Sequence, residues 1–189
     1  MAGEYYHTPE SVDEYIRAAE GHSGRALIEK LKPLLPQDSD LLEFGSGPGT
    51  DYAILSEHFK VTGSDYSDEF VKRLKVKYPE GRFHQLNAAD IQLDGPFDAI
   101  YSNKVLHHLT DAELAVSIQQ QHEILNENGF ICHSFWKGEG SEIFKGMFVN
   151  YHTESALETL LADRFDIQLM ESYAEFEPND SIFLIVKKR

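Results

Sequence analysis

Residues 41–50, Leu41-Leu42-Glu43-Phe44-Gly45-Ser46-Gly47-Pro48-Gly49-Thr50, decide the fold. A short apolar run ends in three glycines at alternate positions, and the segment that follows, TDYAILSEHF, has the composition of a helix. That order predicts a strand, a tight loop and a helix, with glycine placed where the backbone must turn sharply and approach a ligand without a Cβ in the way. Twenty residues after Gly45 stands Asp65, at the end of the run Val61-Thr62-Gly63-Ser64-Asp65. A carboxylate at the end of a second strand can accept both hydroxyls of an adenosine ribose.

Outward from this stretch the alternation repeats. DEFVKRLKVKY carries Phe70, Val71, Leu74 and Tyr78 at helical spacing; RFHQLN and FDAIYSN are strands; residues 111–126 form a helix with Leu114, Ile118 and Leu125. GFICHSFW is a further strand after the turn signal Asn128-Gly129. Strands separated by helices predict a doubly wound, mostly parallel α/β sheet covered on both faces, a three-layer αβα architecture. Upstream, residues 11–20 and 25–35 predict two helices. Downstream, residues 137–152 form a glycine-containing connection longer than most loops, a helix follows around 154–163, and FDIQLMESY and SIFLIVKK are joined by so short a turn that they must pair antiparallel. The expected organisation is one domain over residues 1–189, with a helical lid at 1–36 and a cofactor-binding core at 37–189.

Composition narrows the function. A formal charge of −15 over 189 residues opposes nucleic-acid binding, which depends on clustered Lys and Arg. No apolar run reaches the roughly 20 residues a membrane span requires, and the opening residues lack the pattern of a signal peptide, so the expected location is the cytoplasm. The single Cys132 sits in an apolar run and is expected to be an inert, buried thiol.

A glycine loop followed by an acid is common to dinucleotide and adenosine sites, but the local charge separates them. A diphosphate would sit at the helix N-terminus, where Asp51 occupies the first turn and Glu43 ends the strand. These carboxylates repel phosphate and suit S-adenosylmethionine, a nucleoside carrying a sulfonium and an ammonium. The spacing also departs from GxGxxG, since Thr50 stands at the third-glycine position.

Several motifs then occur in one order: LLEFGSGPGT, VTGSDYS, FHQLNAADI, FDAIYSNKVLHHL and ILNENGFICHSFW. Together they resemble the class I S-adenosylmethionine-dependent methyltransferases, from about residue 40 onward. The resemblance implies a seven-stranded sheet whose last strand is antiparallel. It also implies that Glu43 and the loop Gly45, Ser46, Gly47 and Gly49 face the methionine part, with Asp65 on the ribose and Tyr66 near adenine. Asn87 and Ala88 stand where the family commonly has an Asp and a small residue beside the adenine amine. Asn is a departure there, retaining an acceptor oxygen without the charge. Ser102, Asn103 and Leu106 fall beside the expected methyl group.

Methyl transfer from a sulfonium is an in-line displacement in which positioning supplies much of the catalysis, so no conspicuous catalytic residue is required. Asn103, His107, His108 and His152 are the candidates for a catalytic part. The histidines show no metal-ligand spacing, and no metal is expected. Trp136, Tyr151, Tyr5, Tyr6 and Tyr15 are candidates for a wall that excludes water, with core packing as the ordinary alternative. The expected reaction is methyl transfer to a small-molecule acceptor, with S-adenosylhomocysteine as product. Two rivals stay open: a non-catalytic cofactor-binding partner subunit and an NAD-dependent oxidoreductase.

Overall fold

The computed structural model describes residues 8–189. Tyr5 and Tyr6 lie outside the described residues. Chain order gives α1 (Pro9–Ala18), α2 (Arg25–Leu31), β1 (Asp40–Phe44), α3 (Thr50–Ser56), β2 (Lys60–Asp65), α4 (Asp68–Lys77), β3 (Arg82–Gln85) and β4 (Phe97–Asn103). There follow α5 (Asp111–Ile124), β5 (Leu125–Trp136), β6 (Ser141–Phe144), β7 (Met147–Asn150), α6 (Glu154–Leu161), β8 (Phe165–Tyr173) and β9 (Ser181–Lys188). Short 3₁₀ turns at Lys32–Leu34 and Leu106–His108 link elements.

Seven strands form one sheet in the order β3-β2-β1-β4-β5-β9-β8. The first five are parallel, and β9 enters antiparallel between β5 and β8. The doubly wound sheet with an antiparallel final strand expected from the sequence is what forms. Period-two alternation sends neighbouring strand residues to opposite faces. Leu42, Phe44, Ile100, Ile131 and Phe135 pack against Leu114 and Ile118 of α5 and Leu157 and Leu161 of α6. Leu41, Ala99, Tyr101 and Cys132 pack against Leu27 and Ile28 of α2, Leu55 of α3 and Leu74 of α4. Thus α2 is a core helix, whereas α1 lies across α4 at the edge of the sheet. Burial raises the Cys132 thiol far above its ordinary range, which keeps it inert.

Sequence and local physics agree at the helix ends. Thr110 and Glu113 form a reciprocal capping box at the start of α5, and Thr8, Ser67 and Thr153 cap α1, α4 and α6. Two boundaries differ from expectation. Helix α5 stops at Ile124, because Leu125 is already paired with Phe97, and Asn128, at φ +67°, falls inside β5 where the register shifts. The connection 137–152 is not loop throughout: β6 and β7 form a hairpin around Lys145 and Gly146, both at positive φ. Those angles match a tight two-residue hairpin turn.

Candidate cofactor and acceptor site

The C-terminal ends of β1, β2 and β4 meet at one edge, the usual ligand position in an open α/β sheet. Between β1 and α3 the loop turns through Gly45, Gly47 and Gly49, at φ +65°, +49° and +78°. A side chain at Gly45 would collide with Val105, and one at Gly49 would reach within 2.8 Å of Leu74 and Tyr78. Glycine is therefore required at both positions by backbone and by space.

Three carboxylates surround this loop. Glu43 is 1% exposed, and its Oε2 accepts a 2.6 Å hydrogen bond from Ser46 Oγ. Burial raises its pKa to about 8 against that hydrogen bond, and Asp51 and Asp65 push it further in the same direction. Asp65 accepts the N–H groups of Gly47 and Ser67, each at 2.9 Å, which ties the end of β2 to the glycine loop. Asp51 gathers three donors from distant segments: Gly24 N–H at 2.7 Å, Tyr101 O–H at 2.9 Å and Asn103 Nδ2 at 3.2 Å.

Other sequence candidates divide by strand face. Asn103 is fixed on both sides, donating to Asp51 and accepting from Ser134 Oγ at 2.6 Å. Ser102 points to the α5 face, where its Oγ bonds to His133 Nδ1 at 2.8 Å. His133 Nε2 bonds in turn to Gln121, which donates to Ser117. Leu106 is fully buried in the core on that same face. Tyr66 is 42% exposed beside Asp65. Asn87 accepts the Ala89 N–H in a local turn, and Ala88 is half-buried against the core. Tyr15 of α1 lies edge-on to Phe70, and its Cε1 would sit 3.8 Å from a Cβ placed at Gly47, so its ring stands over the loop. Its hydroxyl pKa is raised by burial and by Asp65 and Asp51.

The histidines lie deeper than a surface base. His107 is 4% exposed and held far below its ordinary pKa by burial, with His108, Lys104 and His152 adding repulsion. His108 Nδ1 bonds to the Phe148 carbonyl at 2.7 Å, which anchors the hairpin to the 3₁₀ turn. His152 is 5% exposed beneath Phe135, 3.9 Å from Asp111. Among the described residues no group of three His, Cys, Asp or Glu could hold a metal ion, and no helix is long and apolar enough to cross a membrane.

Sequence reasoning passed over Lys104. It follows Asn103 at φ +55°, and its Nζ rests 3.6 Å over the Trp136 ring. A single Lys after a strand gives no signal of burial; only the neighbouring strands β5 and β9 supply it.

Residues 41–129 match the methyltransferase-domain family. Over 76 residues the chain is 33% identical to a trans-aconitate 2-methyltransferase of Enterobacter sp., covering 39% of this chain and 30% of that protein. Over 129 residues it is 29% identical to an uncharacterized methyltransferase of Synechocystis sp., covering 63% of this chain and 58% of the relative. The chain thus spans less than two thirds of either relative's length. The crystal structure of the Burkholderia thailandensis 1,6-didemethyltoxoflavin-N1-methyltransferase, with its acceptor and S-adenosylhomocysteine bound, superposes with a TM-score of 0.78 at 18% identity. That superposition covers 95% of this chain and 84% of that one. Residues 41–129 thus match a methyltransferase-domain model, and the fold is the one seen in solved S-adenosylmethionine-dependent methyltransferases.

Proposed function

We propose that this protein binds S-adenosylmethionine at the edge of β1, β2 and β4 and transfers its methyl group to a small-molecule acceptor, releasing S-adenosylhomocysteine. The observation that carries this reading is the buried Glu43, destabilised as an anion by burial and by Asp51 and Asp65 around a loop that presents backbone rather than side chains. A positively charged ligand relieves that cost, and a diphosphate increases it. The same charge set argues against a nicotinamide dinucleotide.

When bound, S-adenosylmethionine would supply an electrophilic methyl on a sulfonium with a thioether leaving group. The protein's own part is positioning and solvent exclusion. Asp65, oriented by the Gly47 and Ser67 N–H groups, would take the ribose hydroxyls. Glu43 and the loop glycines would face the methionine part, with Tyr66, Asn87 and Ala88 around adenine. Ser102 and Leu106 would border the methyl through backbone, since their side chains are enclosed on the α5 face. Asn103 would define the rim where the acceptor approaches, while His107, His108 and His152 shape the wall behind it. Tyr15 covers the loop and keeps water from the reacting atoms.

Isothermal titration calorimetry with S-adenosylhomocysteine and, separately, with NADH tests the reading. Micromolar binding of the first and none of the second is expected. Binding of NADH alone would refute it.

A further inference from the structure

Past the acidic loop, the same sheet edge carries a cation with no anionic partner. Lys104 Nζ donates to the Phe135 carbonyl at 2.9 Å and to Ser181 Oγ at 2.5 Å, and faces the rings of Trp136 and Tyr173. All of these are uncharged. Among the described residues no carboxylate lies within ion-pair distance of it and no acceptor takes its third N–H. Two acids, Asp180 and Glu175, lie near enough to act on it electrostatically without forming an ion pair. Asp180 accepts the N–H groups of Glu175, Phe176 and Glu177 and the Ser181 hydroxyl, and Glu175 lies 3.9 Å from His22. Tyr173 Oη, close by, is buried with no hydrogen bond in place, and Ser134, Glu175 and Ser181 are the polar groups nearest it. The Lys104 ammonium, lying on the Trp136 face, and the Tyr173 hydroxyl thus share one edge, beside a Trp136 ring stacked on the exposed Phe176.

Resting on the methyltransferase reading above, we propose that the methyl acceptor is a small carboxylic acid whose carboxylate is held by Lys104 and Tyr173 while its apolar body lies against Trp136 and Phe176. A partly buried cation whose direct contacts are all neutral is costly to keep charged, and an anion favours that charge. Burial lowers the lysine to about 7, against the opposing pull of Glu175 and Asp180; His107 and Tyr173 are the other titratable groups near it. A carboxylate oxygen would also need no deprotonation before it takes the methyl group: the O–CH3 bond of a methyl ester forms as the C–S bond of the sulfonium breaks, and S-adenosylhomocysteine leaves.

The test uses the full chain carrying lysine labelled with ¹³C at Cε, saturated with S-adenosylhomocysteine, and benzoate as probe with benzamide as its neutral counterpart. Benzoate is expected to shift the Lys104 signal, identified by its absence in Lys104→Met, and to move its titration upward by about one unit, a tenfold change in proton affinity. Benzamide should leave both unchanged. Lys104→Met should bind benzoate about tenfold more weakly while keeping its S-adenosylhomocysteine affinity. The proposal is overturned if about 20 mM benzoate leaves the Lys104 titration unmoved, if benzamide acts equally, or if the folded variant binds benzoate unchanged. The wild-type titration decides the matter should the variant fail to fold. Loss of S-adenosylhomocysteine binding alone would refute the cofactor reading, and the benzoate titration repeated without it would still judge Lys104.

Discussion

On the proposed reading, Glu43 should make cofactor binding a proton-releasing event. With a pKa of about 8, its carboxyl is roughly nine-tenths protonated at about pH 7. A ligand bringing a sulfonium and an ammonium to the loop favours the ionised form, so binding should expel up to roughly 0.9 proton at that pH. Ionising the group at about pH 7 costs about 1.4 kcal/mol, the equivalent of one pH unit, so affinity should tighten about tenfold between pH 7 and 9 and level off above. The proton count is read by calorimetry in phosphate and in Tris at the same pH, where buffer ionisation heats differ. Glu43→Gln is the control: it retains the shape, subtracts the ligand's own titration, and should lose both the released proton and the pH dependence. The raised carboxyl also predicts a stability change of stated sign. The folded state holds a proton the unfolded chain gives up, so stability contributed at Glu43 falls as pH rises from about 4.5 to about 8, and the Gln variant escapes that loss. Equal heats in the two buffers, or a Gln variant releasing the same proton, would refute the electrostatic reasoning.

Asp51→Ala should lower unfolding stability by about 2–4 kcal/mol in urea, since it strips the partner from Tyr101 O–H, Gly24 N–H and Asn103 Nδ2 together. Gly45→Ala meets both a left-handed backbone and the Val105 side chain; a loss of about 2 kcal/mol or more in stability and a matching loss of cofactor affinity are expected by denaturation and calorimetry. Burial lowers His133 to about 3, so the unfolded chain binds a proton that the folded one refuses. Stability should therefore be complete above about pH 6.5 and fall by about 1.4 kcal/mol per unit as pH drops toward 3, a slope that pH-dependent urea midpoints should show reduced in His133→Gln.

The sheet was legible because each strand and helix announces its own period, and because so short a link as 174–180 permits only antiparallel pairing. The hairpin at 141–150 was hidden by Gly138, Gly140 and Gly146, which suggest loop, while its strands are only four residues each. The Lys145-Gly146 turn between Ile143-Phe144 and Met147-Phe148 was the overlooked signal. At the site, the positions of Glu43, Asp65 and Asn103 were readable from strand ends, but their partners were not. Asp51 meets Tyr101 across 50 positions in sequence, and Ser102 meets His133 across 31. Such contacts depend on strand order, which no local pattern encodes. For the same reason the sequence places Asp51 in the first turn of α3, facing the loop, but does not show the three donors that the fold gathers around it.

The place of β9 bears on how the chain is made. Its core residues, Ile182 to Val186, lie between β5 and β8, yet they are synthesised after both. Until they emerge from the ribosome, β5 presents an unpaired apolar margin and β8 has no neighbour, which is a template for self-association. Translation arrest or a nonsense codon before Ser181 would thus leave the sheet without the strand that joins β5 to β8, a species open to aggregation and to capture by chaperones.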